Sequence, residues 1–143
     1  MFEISLNDVD ADITKTHGEI RIGEFRERFE VALEFWREAD YREQWIQALR
    51  SCCIDKKESA LITSITSPQT ANFVFWWLLY PLSDEVVIQN QILMLDQLQA
   101  PFKLECPWEH IPIRNTLTED GDEVSEWSVA YSDLQDFLQR ADK

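Results

Sequence analysis

The most constraining feature of this chain is an apolar stretch near its middle, Asn72-Phe-Val-Phe-Trp-Trp-Leu-Leu-Tyr80. Turn-forming residues bound it on both sides, at 67–70 before it and 81–84 after it. The stretch is far too short to cross a bilayer as a helix, which needs about 20 residues. A strand that is apolar on both faces must be covered on both faces, so we predict a central β-strand in a layered fold.

Other strand-like segments lie on both sides of this stretch. Alternating or continuous apolar patterns predict strands at 2–6, 19–25, 25–36, 60–66, 72–80, 86–95 and 123–130. The segment 25–36 also fits a helical period almost as well, and Gly23 is interpreted as a β-bulge. We expect irregular loops at 7–17 and at 96–118, where three prolines interrupt the chain.

Two capping-box patterns predict helices. Asp40-Tyr-Arg-Glu43 begins a helix over residues 40–53 with one apolar face, and Ser132-Asp-Leu-Gln135 begins a shorter one toward Ala141. At 143 residues and 45% hydrophobic composition, the chain has the size and core of one domain. We therefore predict a single α+β domain over residues 1–143, an antiparallel sheet of about five strands with two packed helices.

Acidic residues dominate the charge, with 27 acids against 13 bases and a formal net charge of −14. Such a field repels phosphate backbones and attracts basic proteins, although acidity can also serve only to keep a small domain in solution. The charge is uneven, because residues 115–139 hold seven acids and no Lys or Arg. This segment is either a surface that steers a cationic partner or a solvated face beside a hairpin tip.

The first reading assigns an interface to acids at two predicted turns. These residues are Glu119, Asp120, Asp122 and Glu123, followed by Asp84 and Glu85. A third acidic segment, at Asp8, Asp10 and Asp12, lies in the first predicted loop. Aromatic burial would have to supply most of the affinity, because charges at a rim mainly set the association rate.

Residues that could carry catalysis are few. Cys52, Cys53 and Cys106 form neither a disulfide framework nor a zinc pattern. Cys106 and His110 share one predicted loop, but a nucleophile–base pair needs an orienting third group that the sequence does not offer. The Asp120-Gly-Asp122 turn lacks the remaining ligands of a calcium loop. We expect no catalytic residue, no metal and no cofactor, and no signal peptide or membrane span.

Short motifs along the chain also share their order and spacing with a known family. The first group is Gly23-Glu-Phe25, Phe29, Leu33, Trp36, Tyr41, Gln44-Trp45 and Ala48-Leu49. The second group is Ser59-Ala-Leu61, Asn72-Phe-Val-Phe75, Val87, Gln89-Asn90, Asp120-Gly-Asp122, Ser125-Glu-Trp127 and Asp133-Leu134. Over about residues 20–140, this series resembles the CdiI immunity proteins of contact-dependent growth inhibition systems, and within them the type known from Enterobacter.

The resemblance implies a cytoplasmic protein that binds the C-terminal toxin domain of a CdiA effector, one to one, and catalyses nothing itself. It implies that the toxin is often a nuclease, blocked by covering or crowding its active site. Toxins that act on RNA tend to be basic, which would match the acidic segment. The resemblance also implies that Trp36, Tyr41, Trp45 and Trp127 are mostly core, and that residues 98–118 depart most from the family pattern.

Two further hypotheses stay open from the sequence. One is a small-molecule or single-stranded nucleic-acid binding module that uses the apolar sheet face. The resemblance includes a likeness to single-strand-binding folds, but stacking platforms work beside cationic grooves, which this chain does not offer. The other is a thiol enzyme at Cys106, which would require an activated thiolate. Free in solution, the chain is expected to be a monomer with no nucleic-acid or membrane partner.

Overall fold

The structure is a computed structural model that describes residues 1–7 and 14–141. In chain order its elements are β1 (Phe2–Leu6), β2 (Lys15–Ile22), β3 (Phe25–Ala32), α1 (Glu38–Asp55), β4 (Ser59–Ser64), β5 (Phe73–Pro81), β6 (Glu85–Met94), β7 (Glu126–Ala130) and α2 (Tyr131–Ala141). Short 3₁₀ helices at Leu95–Gln97 and Pro107–His110 interrupt the connection between β6 and β7. The predicted acidic loop at Asp8, Asp10 and Asp12 lies outside the described residues.

The strands of the described residues form two antiparallel sheets, β1-β2-β3 and β4-β5-β6-β7. The predicted α+β class is confirmed, and the prediction of one sheet of about five strands is imprecise, because the described strands divide into sheets of three and four. The reason is the 18-residue helix α1, which separates β3 from β4, so these strands are not joined as a hairpin. The sheets meet through aromatic rings, with Phe25 stacked on Trp127 at 4.1 Å and tilted against Trp77 at 6.3 Å between centroids.

The hairpin of β2 and β3 departs from the prediction at two glycines. Gly23 is not a bulge but the first residue of the two-residue turn before Phe25, with a φ of +61° that favours glycine. β2 begins at Lys15, inside the predicted loop 7–17. A Cβ on Gly18 would lie 2.4 Å from the ring of Phe29, its partner across the hairpin, so the ring packs directly on the glycine backbone.

Helix α1 begins at Glu38, two residues before the predicted start. Asp40 is therefore not the residue that precedes the helix; its carboxylate accepts a hydrogen bond from the backbone N–H of Arg37 at 2.9 Å. The predicted apolar face is confirmed, since every one of its members is buried: Tyr41, Trp45, Ala48, Leu49 and Cys52. Among the described residues, no helix is long and apolar enough to cross a membrane.

Side chains of α1 close the outer edge of strand β4. The Gln44 amide donates to the carbonyl of Ala60 at 2.7 Å and accepts from the N–H of Ile62 at 2.9 Å. The indole N–H of Trp45 donates to the carbonyl of Ile62 at 2.7 Å. The Tyr41 hydroxyl accepts from the N–H of Ile65 at 3.1 Å and donates to the carbonyl of Ala32 at 2.7 Å. An edge strand that would otherwise offer unpaired backbone groups is thereby satisfied within the chain.

The apolar stretch forms β5, and its central part is buried as predicted. Trp76 and Trp77 point to opposite faces of the sheet and are each 1% exposed. The beginning of the strand is different, because Phe73 and Phe75 are 43% and 39% exposed. Coverage of both faces is therefore confirmed from Trp76 onward and wrong for the first residues of the strand.

Two side chains fasten the connection between β6 and β7 to the sheet. The Tyr80 hydroxyl donates to the carbonyl of Pro112 at 3.0 Å, and the Gln89 amide donates to the carbonyl of Asn115 at 3.0 Å. Because Val87 lies opposite Tyr80, Gln89 lies on the same sheet face as Tyr80. The segment predicted to be irregular is indeed mostly non-repetitive, but it is held in place by buried polar side chains.

Candidate interaction surface

Residues 116–124 fold into a small hairpin, which we call the acidic hairpin. Leu117 pairs with Glu123, the Thr118 N–H donates to the carbonyl of Asp122 at 2.7 Å, and the Val124 N–H donates to the carbonyl of Thr116 at 2.9 Å. Gly121 has a φ of +87°, which the tight turn requires and which favours glycine. The predicted acidic turn at residues 119–122 is therefore the tip of this hairpin.

The structure brings four predicted interface residues together at this tip. Glu119, Asp120, Asp122 and Glu123 are all exposed, and none of them makes an ion pair with another described residue. Neighbouring carboxylates without cationic partners repel one another and set up a local negative potential. Across residues 1–7 and 14–141, no group of three or more acidic, His or Cys side chains is arranged to hold a metal ion.

A partly buried polar network fixes the base of the acidic hairpin. The Arg114 guanidinium binds both carboxylate oxygens of Glu126, at 2.6 and 3.2 Å, and the Gln89 amide donates to Glu126 at 2.9 Å. The hydrogen bonds from Arg114, and to a smaller extent the one from Gln89, hold the pKa of Glu126 below its usual value. The Glu126 carboxylate in turn raises the pKa of Arg114. A bidentate pair of this kind fixes direction as well as distance, so it sets where the hairpin projects.

Apolar side chains flank the hairpin and its base. Ile113 is 87% exposed and Leu117 is 56% exposed, on either side of Arg114 and Asn115 along the chain. Isolated exposed apolar residues are ordinary, but these two lie in the same short segment as the unpaired acids. Together Ile113 and Leu117 provide apolar contact area near the carboxylates of the hairpin tip.

A second exposed apolar group lies on one face of β5 and β6. Phe73 pairs with Met94 and Phe75 with Ile92, so all four side chains share a face. Their exposed fractions run from 37% for Met94 to 54% for Ile92, and the rings of Phe73 and Phe75 meet edge to face at 5.1 Å. We call these four residues the open sheet face. Ile92 is three residues from Gln89 along β6, and this odd spacing places the two side chains on opposite faces of the sheet. The open sheet face is therefore on the other side of the sheet from the contact of Gln89 with the loop.

The sequence did not identify Ile113, Leu117 or the open sheet face. Their apolar residues lie in a continuous run or in a proline-rich loop, where no alternation shows which side chains face solvent. A partial signal existed at Gln89 and Gln91, which break the apolar run of β6: Gln89 contacts the loop, and Gln91 donates to Gln89.

Asp84 and Glu85 lie apart from the acidic hairpin. Glu85 pairs with Ala130 at one end of the β6–β7 ladder, whereas the hairpin joins the other end, where Gln89 pairs with Glu126. Four residues of β6 separate the two ends, about 13 Å. Asp84 is exposed and Glu85 is half-buried. The predicted interface acids thus form two separate groups.

Cys106 and His110 are engaged with other partners. The Cys106 thiol donates to the Glu109 carboxylate at 3.1 Å, and this hydrogen bond is the main reason that the pKa of Cys106 is raised. The Nε2 atom of His110 accepts a hydrogen bond from the backbone N–H of Lys103 at 3.0 Å. An activated cysteine needs a lowered pKa and a base free to take its proton, and this pair has neither.

Comparison with known proteins identifies the family. Residues 31–137 match the family model described as the CdiI N-terminal domain. The chain is 31% identical over 118 residues to the immunity protein CdiI of Enterobacter cloacae, a match that covers 82% of this chain and 81% of that protein. It superposes with a TM-score of 0.87 and 28% identity on a chain of the CdiA-CT/CdiI toxin and immunity complex from Enterobacter cloacae, over 99% of both chains. This protein belongs to the CdiI immunity-protein family.

Proposed function

We propose that this protein is a cytoplasmic immunity protein that binds the C-terminal toxin domain of its cognate CdiA effector, one to one, and neutralises it. The observation that carries the proposal is the similarity, over nearly the full length of both chains, to a chain of a CdiA-CT/CdiI complex. Immunity proteins act as inhibitors, and we infer that this chain inhibits by occupying the toxin surface rather than by any chemistry of its own.

The acidic hairpin is the part of the surface that we assign to this contact first. Its four unpaired carboxylates would attract a basic toxin and raise the rate of encounter. A nucleic-acid partner would meet the same field as repulsion, which disfavours the single-stranded nucleic-acid alternative. Asp84 and Glu85 stay secondary candidates, because they lie at the end of the β6–β7 ladder that is far from the hairpin.

Apolar contacts would supply most of the affinity. Interfaces are commonly organised as an apolar centre with a polar rim, and a few large side chains carry most of the binding energy. Ile113 and Leu117 offer such a centre next to the hairpin. The open sheet face lies on the opposite side of the sheet from Gln89 and its loop contact, so it would be a separate apolar contact. The toxin would then bury the apolar groups while the carboxylates lie at the edge and set the association rate.

Charge reversal at the hairpin tests whether the hairpin itself contacts the toxin or whether only the net charge of the protein matters. We would replace all four carboxylates (Glu119, Asp120, Asp122 and Glu123) with Lys and measure association with the cognate toxin domain across a range of salt concentrations. Association should slow about ten- to hundredfold at low salt, with a weaker dependence on salt than the wild type shows.

The matched control reverses four other exposed acids, which changes net charge by the same amount. These are Glu34, Asp55, Glu58 and Asp136. If both variants slow association equally, only net charge matters and the hairpin is not the contact. If the unmodified protein leaves the toxin fully active at molar excess, the proposed function itself is wrong.

A further inference from the structure

A groove separate from the acidic hairpin runs between α1, the outer edge of β4 and the Pro107–His110 turn. It has a cavity volume of about 400 Å³. Small-molecule and side-chain pockets fall in the range of about 300–1,000 Å³. We call it the tryptophan groove, because Trp36 and Trp108 both line it.

The two indoles are held by their surroundings. Trp36 is half-buried and packs edge to face on Tyr41, with 5.1 Å between ring centroids. Trp108 is 55% exposed and follows Pro107, whose ring is buried. A tryptophan that keeps more than half of its surface in water leaves indole surface available to a ligand.

Three carboxylates line the same groove: Asp40, Glu43 and Glu105. All three are exposed, and the described lining includes no Lys or Arg. One oxygen of Asp40 accepts from the Arg37 N–H, and Glu43 accepts a long hydrogen bond of 3.4 Å from Gln47. Their remaining acceptor capacity points to a donor-rich cation as the occupant.

The backbone of the groove leaves no place for an added strand. Gln44, which also lines the groove, already binds the carbonyl of Ala60 and the N–H of Ile62. The Ser59 hydroxyl donates to the carbonyl of Ala48 at 2.7 Å. A ligand would therefore be recognised by its side chain against the aromatic and acidic walls, and not by strand pairing with β4.

We propose that the tryptophan groove receives an arginine or lysine side chain from a cationic segment of the toxin. This inference rests on the proposed function. Tryptophan is the most effective cation–π partner, and a guanidinium can stack on an indole while it donates to carboxylates at the rim. The groove combines both kinds of wall with the acidic charge of the protein as a whole. The groove would be a second contact with the toxin, separate from the hairpin and made by α1 and the Pro107–His110 turn.

Substitutions in the groove test the toxin contact. We would measure the affinity for the cognate toxin domain of Trp108→Ala and of the double variant Glu43→Gln with Glu105→Gln. Removing an interface tryptophan commonly weakens binding about thirtyfold, and the double variant should weaken it about tenfold with a reduced salt dependence. Phe35→Ala, an exposed aromatic beside Trp36 that does not line the groove, and the pair Asp55→Asn with Glu58→Gln are the matched controls.

A direct titration separates the groove from the toxin. In protein labelled with 5-fluorotryptophan, N-acetyl-arginine methylamide should shift the fluorine resonances of Trp36 and Trp108. The citrulline analogue, which is neutral but of the same shape, should not shift them. Equal shifts with both compounds would overturn cation recognition. Shifts with arginine together with unchanged toxin affinity in the groove variants would overturn the toxin contact alone. Failure of the unmodified protein to bind toxin would instead overturn the proposed function, and the titration would still decide whether the groove recognises cations.

Discussion

The contact between α1 and β4, which we call the seam, differs from the acidic hairpin in how it uses polar groups. In the seam, Tyr41, Gln44 and Trp45 each use their polar atoms on the backbone of another element, and Tyr41 and Trp45 are at most 1% exposed. In the hairpin, four carboxylates point into water with no cationic partner among the described residues. Polar atoms thus complete the fold in one region and stay available to a partner in the other.

The contrast predicts which substitutions the fold should tolerate. Buried polar groups cost free energy when they lose a partner, whereas exposed charges contribute little to stability. Substitutions in the hairpin should therefore cost less stability than substitutions in the seam. Glu126 lies outside the seam, in β7, and its pair with Arg114 holds the base of the hairpin.

The largest expected effect on stability is at Trp45. Trp45→Ala would leave a cavity and an unpaired carbonyl at Ile62, and we expect it to lower the free energy of unfolding by about 3–5 kcal/mol. Chemical denaturation measures this. Should that variant fail to fold, Trp45→Phe keeps most of the volume and removes only the N–H donor, at a cost of about 1–3 kcal/mol.

The hairpin charges should contribute far less to stability than the seam does. The four-carboxylate reversal used for binding serves as the control, and its free energy of unfolding should stay within about 0.5 kcal/mol of the wild type. A loss comparable with that of Trp45→Phe would show that the hairpin charges support the fold, contrary to the exposure of their side chains.

Features that depend on a local pattern in the sequence were predictable, whereas features that depend on long-range pairing were not. The helix face from Tyr41 to Cys52 and the buried centre of β5 were predictable, because periodicity and continuous apolarity report burial directly. The split into two sheets was not, because it depends on which strands pair across α1 and not on the pattern within any strand. The turn at Gly23 was interpreted as a bulge because one glycine fits both geometries.

The candidate surface was predictable only in part. Clustering of acids along the chain identified the hairpin tip, because a short turn keeps neighbours in sequence close in space. Asp84 and Glu85 were grouped with it, although the β6–β7 ladder holds them at its opposite end. The exposure of Phe73 and Phe75 depends on where β3 stops covering the sheet, which is a long-range property that no local pattern records.

Alkaline pH should destabilise the seam through ionisation of Tyr41. Burial raises the pKa of its hydroxyl from 10.0 to about 12, so the folded protein favours the neutral form. Its contribution is fully present below pH 10 and is lost as the pH rises from 10 to 12, by roughly 3 kcal/mol for a shift of this size. Burial also raises the pKa of Tyr80 and of Cys52 to about 12, so the total decline should begin near pH 9.

Denaturation at several pH values would isolate the Tyr41 part. Tyr41→Phe should be less stable than the wild type at neutral pH by about 1–3 kcal/mol, since the N–H of Ile65 and the carbonyl of Ala32 lose their partner. Between pH 10 and 12 the variant should lose less stability than the wild type. Parallel curves for the two proteins would contradict the assigned pKa shift.

A smaller and more local effect than at Trp45 or Tyr41 is expected at Glu126, at the base of the hairpin. Glu126→Gln keeps the shape of the side chain but replaces a charge-assisted pair with Arg114 by a neutral hydrogen bond, at a cost of about 1 kcal/mol. That cost should appear locally, because Arg114, Asn115 and Gln89 hold the hairpin and not the seam. Hydrogen exchange at the Thr118 and Val124 amides should accelerate about fivefold, while the Ile62 amide, bound to Gln44 in the seam, keeps its protection. Equal acceleration at all three amides would mean that the hairpin opens only with the whole domain, and the two regions would then be one cooperative unit.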